Sequence, residues 1–376
     1  MSVLSCLTDV PHPGEFIQEE LDARGWSQRD LAYILGTSEQ SVSVIVSGKR
    51  GVSPEMAKAL GEAFNVSADY FANLQKAHEM ATARAPDPAV ARRALLQGSY
   101  PVREMIKRRW FEDTDVAMLE AQMMRFFRVN DLSAIPHLAH AAKKGGGYDE
   151  TTPAQYAWLY RVKQLCEEMV VPAYSEAKLR DAVSSLPRFM IDPEEVRHVP
   201  RLLADCGVRF AVVETLPKAN IDGVCFWIGG SPVVAISARH DRIDNFWFVL
   251  GHELDHVLHR DGQDEPIIDV DLEGEKAGDG DKLPPEERRA NRAAADLCVP
   301  AGDMESFYVR KYPYFSERDV LGFARRVQRH PGIVVGQLQH RLKRYDYLTR
   351  YKVKVRQYLL PYCLADGWGE HPAVNL

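Results

Sequence analysis

Between residues 13 and 77 the apolar positions recur with the period of an α-helix and are separated by short polar turns. Phe16, Ile17 and Leu21 fit one stripe, and Leu31, Ile34 and Leu35 fit the next. Ser27, with Asp30 three positions on, reads as the N-cap of a second helix that Gly36 ends. Ser38 is placed to cap a third helix running through Ile45, which Gly48 stops. Ser53-Pro54-Glu55-Met56 supplies a cap, a proline at the first helical position and an acidic first turn for a fourth, and Ser67 starts a fifth. The APDP run at 85–88 breaks helical continuity and marks a domain boundary.

Residues 89 to about 200 are rich in helix formers, with a flexible break predicted at KKGGGYDETTP (143–153). From Val208 the pattern changes to short strand-like runs, VRFAVV, VCFWIGG and PVVAIS, followed by a long helix starting near Asp244. That order predicts an α+β part. At 376 residues the chain is long for one core, so two or three domains are expected. Hydrophobic residues at 45% and charged residues at 27% place it among ordinary globular proteins. The absence of an apolar run near membrane-spanning length, and of a basic-then-apolar opening, predicts a cytoplasmic protein without a membrane partner. The six scattered cysteines offer no close pair for a metal knuckle or redox motif. A net charge of -6 means that any contact with nucleic acid has to come from a local surface.

Helices two and three, joined through Gly36-Thr37, have the length and turn of a helix-turn-helix, in which the second member enters the major groove. The segment WSQRDLAYILGTSEQSVSVIVSGKR resembles the lambda-repressor-like, or Xre-type, DNA-binding domains, and together with PGEFIQEELDARGWSQRDLA it is similar to antitoxins of the HigA kind. The resemblance implies that Glu39, Gln40, Ser43 and Val44 face base edges, while Gln28, Ser41, Lys49 and Arg50 contact phosphates. Gln40 can pair with adenine and Glu39 can accept from cytosine, whereas Val42 and Ile45 point inward. Residues 12–77 hold six Lys/Arg against nine Asp/Glu, so a protein-interaction or dimerisation module is the competing reading. A double-stranded operator is expected to be bound by a homodimer, because one weakly charged module buries little contact. Arg103, Lys107, Arg108 and Arg109 form a basic cluster that is either an added phosphate contact or a solvated helix face.

Within DNFWFVLGHELDHVLHRD, His252 and His256 are four residues apart, which puts both imidazoles on one helical face, as two zinc ligands require. Glu253, one step round, is placed to take a proton from water on the metal. Downstream, PEERRANRAAADLCVP resembles the second metal-binding helix of the ImmA/IrrE metallopeptidase family, and the stretch from Ile221-Asp222-Gly223 through Arg239 to His259 resembles the version fused to HigA-like antitoxins. The resemblance implies Zn2+ held by His252, His256 and Glu287, Glu253 as general base, and Asn291 orienting a ligand from behind. Glu286 competes with Glu287 but sits about 100° round the helix. Arg289 stands where the family often has another acid. His259 is assigned behind the ligands or facing substrate, and His240, Tyr308 and Tyr312 are open candidates for a transition-state donor. Residues 261–281, with nine acids and one lysine, read as a mobile acidic flap; Asp269, Asp271 and Gly274 only faintly suggest a calcium loop, since its twelfth position is Gly280.

The chain is thus expected to be multidomain and mainly α with an α+β C-terminal part. A lambda-repressor-like helix-turn-helix DNA-binding domain spans 1–85, a helical connector 86–204, a gluzincin-like ImmA/IrrE zinc metallopeptidase domain 205–345, and a tail packing on it 346–376. The leading expectation is a sequence-specific, antitoxin-like transcriptional regulator whose zinc endopeptidase acts on a partner protein or regulator, or responds to a signal, with a toxin or a repressor as the protein partner. Two alternatives stay open: a stoichiometric toxin-neutralising antitoxin with a catalytically silent metal domain, and a protease that the helix-turn-helix guides to a repressor on DNA.

Overall fold

The computed structural model describes residues 10–132, 142–144, 147–149, 151–272 and 283–369. The chain divides into two compact units, one ending at Val90 and one beginning at Ala91. The first holds α1 (Pro13–Arg24), α2 (Gln28–Ile34), α3 (Glu39–Val46), α4 (Pro54–Phe64) and α5 (Ala68–Thr82). The side chains of Ser27, Ser38, Ser53 and Ser67 each accept from a backbone amide in the first turn that follows, which is why these helices start where they do. Ile17, Leu21, Leu31, Val42, Ile45, Leu60, Phe64 and Phe71 form the core. Gly14 lets α1 approach the end of α3: a Cβ there would lie 2.4 Å from the Ile45 carbonyl oxygen and 2.5 Å from that of Val46. Ile34, expected inward, is 44% exposed; Leu31 and Ala32 take the inward positions of this seven-residue helix.

Beyond α6 (Pro88–Ser99), the second unit carries α7 (Val102–Lys107), α8 (Val116–Phe127), β1 (Ala142–Lys144), β2 (Gly147–Asp149), α9 (Pro153–Glu167), α10 (Glu176–Ser185) and α11 (Val199–Asp205). Then come β3 (Arg209–Val213), β4 (Ile221–Ile228), β5 (Ser231–Ile236), α12 (Ile243–Leu258), β6 (Ile267–Val270) and α13 (Pro285–Cys298). It closes with α14 (Ala301–Lys311), α15 (Glu317–Arg326), α16 (Pro331–Leu342), α17 (Arg356–Leu359) and β7 (Leu364–Asp366). The strands form one mixed sheet in the order β2-β1-β6-β4-β5-β3-β7. Both faces of its centre are buried, so β3, β4 and β5 read as nearly continuous apolar runs instead of alternating ones. Phe210, Val212, Cys225, Val234 and Ile236 pack with α12, while α9 lies on the other face, where Lys163 stands over the Phe226 ring.

Several segments differ from expectation for reasons that lie far off in sequence. Residues 86–204, expected as a connector, share the core of the second unit: Trp158 of α9 is fully buried and donates to the Val213 carbonyl of β3 at 3.0 Å. The predicted break at 143–153 contains β1 and β2, which pair antiparallel. The predicted acidic flap contains β6, a buried strand, because Ile267, Ile268 and Val270 fill space beside β4; residues 273–281 of that run lie outside the described residues. Arg108, counted in a basic cluster, is only 9% exposed at its side chain and donates to the carbonyls of Glu214 and Thr215, so it braces the loop after β3. The C-terminal segment adds β7 to the sheet, parallel to β3, and Asp366 accepts from Trp110 Nε1 at 3.0 Å.

Candidate functional site

In the first unit the residues expected to face base edges stand on α3. Val42 and Ile45 are 2% and 3% exposed, so the helix is fixed by its inner edge and turns Glu39, Gln40 and Ser43 outward. Val44 and Ser41 are half-buried, and the Ser41 amide is held by the Ser38 hydroxyl at 3.2 Å. Gln28 is half-buried at the start of α2, while Lys49 and Arg50 are exposed beyond α3, their amides anchored on the Val44 carbonyl at 3.0 Å. Arg29 pairs with Glu39 at 3.2 Å on this exposed face. That pair contributes little to stability but orients Glu39 across the turn.

In the second unit two helices and one strand converge. Gly251 brings α12 and α13 close, since a Cβ there would lie 3.2 Å from Ala294 Cα. On α13, Glu287, Ala290, Ala294 and Cys298 form the buried stripe, which sends Glu287 toward α12; Glu286 is half-buried, off that stripe. His252, His256, Asp269 and Glu287 then each offer one ligand atom, all within 4.8 Å of one another. His252 Nε2 lies 3.0 Å from His256 Nε2, 3.3 Å from Glu287 Oε2 and 3.4 Å from Asp269 Oδ2, and His256 Nε2 lies 3.6 Å from Glu287 Oε1. A tetrahedral zinc with bonds near 2.0–2.1 Å needs donors about 3.3–3.5 Å apart.

The donor chemistry fits zinc as well as the spacing does. His256 Nδ1 is 2.8 Å from Asp261 Oδ2, so that nitrogen carries the proton and Nε2 presents its lone pair toward His252. Arg289 holds Asp261 in turn and bonds Asp255 at 2.8 Å. Both Asp269 oxygens are buried without a hydrogen-bond partner, as are both of Glu253. Carboxylates so placed are costly unless a cation stands among them.

Burial, reinforced by the adjacent Asp269 charge, pushes the Glu253 carboxyl well above its usual range. Burial alone would lower His252, but the Asp269 and Glu287 carboxylates outweigh it and hold His252 well above the ordinary imidazole value. Burial raises Asp269 while the His252 charge lowers it further, with a net downward shift.

Glu253 is fully buried next to the cluster, and its Oε1 occupies the space a Cβ on Gly223 would fill, 2.0 Å away. Asn291 is half-buried with its side-chain oxygen unpartnered, and it is not among the clustered donors. His259 turns instead to Asp255, whose carbonyl oxygen is 2.9 Å from its Nδ1. Tyr308 packs with Tyr312 and Phe315 in an aromatic group on and after α14, Tyr312 is 60% exposed, and His240 is exposed. Asp269 and Asp261 are the site residues that sequence reasoning did not assign. The sequence offered two signals for Asp269, its place in a faint calcium-loop pattern and its place within the apolar run Ile267-Ile268-Asp269-Val270, and neither pointed to His252 and His256.

Comparison with known proteins agrees with this division of the chain. Residues 17–71 match the Helix-turn-helix family, and residues 209–343 match the IrrE N-terminal-like domain, peptidase family M78. The uncharacterized HTH-type transcriptional regulator YddM of Escherichia coli K12 is 34% identical over 92 residues, covering 24% of this chain and 98% of the relative. Virulence-associated protein A' of Dichelobacter nodosus is 35% identical over 75 residues, covering 20% of this chain and 65% of the relative, just under two thirds of its length. Among solved structures, antitoxin HigA of Pseudomonas aeruginosa with the higBA promoter is 39% identical, covering 20% of this chain and 82% of that one, at a TM-score of 0.19. A HigA-family addiction module antidote protein from Coxiella burnetii is 30% identical, covering 19% and 78%, also at 0.19. No helix among the described residues is long and apolar enough to cross a membrane.

Proposed function

From a chain that belongs to the HTH-type transcriptional regulators and carries an IrrE N-terminal-like domain, we propose an antitoxin-like, sequence-specific regulator that binds a double-stranded operator as a homodimer and whose second unit is a zinc-dependent endopeptidase acting on a partner protein. The observation that carries the enzymatic part is the convergence of His252, His256 and Glu287 beside a buried, unpartnered Glu253.

When bound, zinc supplies Lewis-acid chemistry, polarising a carbonyl and acidifying water. His252, His256 and Glu287 hold it, and Asp261 fixes the His256 ring so that Nε2 faces the site. Glu253 accepts the proton at a carboxylate oxygen and hands it to the leaving amine, in a recess that the bare Gly223 backbone leaves open.

Purified protein is expected to carry about one zinc per chain, and His252→Ala or Glu287→Ala to lower that content, as measured by metal analysis. Full occupancy in the Glu287→Ala protein would reject Glu287 and promote Glu286. For the DNA function, Gln40→Ala is expected to cost on the order of 1–3 kcal/mol at one base position and to relax specificity there, while Arg50→Ala weakens all sequences alike. Operator binding that survives removal of residues 1–80 would refute the helix-turn-helix assignment. A second reading, a stoichiometric toxin-neutralising antitoxin with a catalytically silent metal domain, is favoured by one feature, the extra carboxylate of Asp269 among the donors.

A further inference from the structure

The three ligands assigned to zinc leave a fourth position, which a hydrolytic site keeps for water and for the polarised carbonyl of its substrate. In this protein a fourth donor, Asp269, lies within 4.8 Å of the other three. Asp269 lies on β6, directly opposite Gly223 of β4 in an antiparallel pair. Cross-strand partners present their side chains on the same face. The missing side chain of Gly223 faces Glu253, so Asp269 faces α12 as well, and its Oδ2 reaches to 3.4 Å from His252 Nε2. Asp269 is 1% exposed, and its carboxylate is enclosed by His252, Glu253 and Glu287 with neither oxygen in good hydrogen-bonding geometry.

We propose that Asp269 is a fourth protein ligand seated in the coordination position that hydrolysis needs, so that β6 holds the site shut and has to withdraw before a substrate can enter. The inference rests on the zinc reading and deepens it. Two neutral imidazoles and two carboxylates would just offset the charge of Zn2+, and four protein donors would leave no open position, as in structural zinc sites.

The strand that carries Asp269 is held by contacts of its own. Ile267, Ile268 and Asp269 pair with β4 up to a register shift at Asp222, beyond which Val270 pairs with Ile221, and β1 pairs with the other edge of β6. Asp222 accepts from the Leu272 amide at 2.7 Å, and Arg239 bridges Asp222 at 2.7 Å and Asp271 at 2.9 Å. This clasp ties the end of β6 to β4 without touching the donors. It is only partly buried, with Arg239 and Asp271 each 17% exposed at the side chain. A partner that competes for Arg239 or pairs with β4 in place of β6 would carry Asp269 out of the site.

The test uses the full chain loaded with Co2+, whose visible absorption reports coordination, and titrates it with acetohydroxamate as an external ligand. The wild-type spectrum is expected to be four-coordinate and insensitive to hydroxamate, whereas Asp269→Ala shifts on titration. Asp269→Asn, which keeps the shape of β6 should alanine unfold it, is expected to shift as well, and both variants should hold zinc at least about tenfold more weakly. A wild-type spectrum that shifts as readily as those of the variants, or unchanged zinc affinity in both, overturns the role of Asp269 and leaves the three-ligand site standing. A wild-type chain that binds no stoichiometric metal overturns the zinc reading itself, and this inference with it.

Discussion

The Glu253→Gln protein is expected to keep its zinc and its operator complex while peptide hydrolysis falls by about 100- to 10,000-fold, the range that loss of a positioned general base produces. The amide has the shape of the carboxylate it replaces and fits the same fully buried recess against Gly223, so the metal-binding helix is undisturbed. It cannot accept a proton. Glu253 is outside the set of convergent donors, which is why metal content should not follow activity. The measurement belongs in the Asp269→Ala background, where the fourth position is open, with zinc quantified in the same samples. Undiminished hydrolysis would remove Glu253 from the role of base. In cells, a Glu253→Gln chain that matches wild type in repression, induction and toxin neutralisation would favour the stoichiometric binding reading.

Trp158→Ala should lower the stability of the second unit by about 3–5 kcal/mol, a large part of what a domain has to lose. The indole is fully buried between α9 and the sheet, and its Nε1 satisfies the Val213 carbonyl at 3.0 Å. Truncation leaves a cavity that Tyr156, Leu159 and Val162 cannot close, since each is already packed, and strands a buried acceptor. Urea unfolding followed by far-ultraviolet dichroism would read the change. A midpoint within about 0.5 kcal/mol of wild type would show that α9 is an appendage to the sheet and not part of its core.

What could be seen in the sequence was what is local. Ser27, Ser38, Ser53 and Ser67 cap their helices through amides two or three residues away, so α2 to α5 were legible from the chain alone, whereas α1, capped by His12, showed only through its apolar stripe. His252 and His256 were legible because four-residue spacing fixes their common face before any tertiary contact forms. Asp269 was not. Which face an aspartate in a strand presents depends on its register with a partner, here Gly223, some 46 positions earlier in the chain, and a shift of one residue would turn it away. Its acidic neighbours made the segment look like a solvated loop, whereas Ile267 and Ile268 decided otherwise. Trp158 and Arg108 follow the same rule: their partners, Val213, Glu214 and Thr215, lie tens of residues downstream.

Strand β7 has a consequence beyond the site. Among the described residues it is the last strand at one end of the sheet, beside β3, paired through Leu364, Ala365 and Asp366. Without it, the amides and carbonyls of β3 would stand open along a strand whose residues Phe210 to Val213 are nearly all inaccessible to solvent. An apolar strand edge of that kind is a template for intermolecular pairing. Cleavage ahead of Leu364 would therefore trade a folded chain for a self-associating one, so proteolytic trimming at this end would remove the protein by aggregation while His252, His256, Asp269 and Glu287 all remained in the polypeptide.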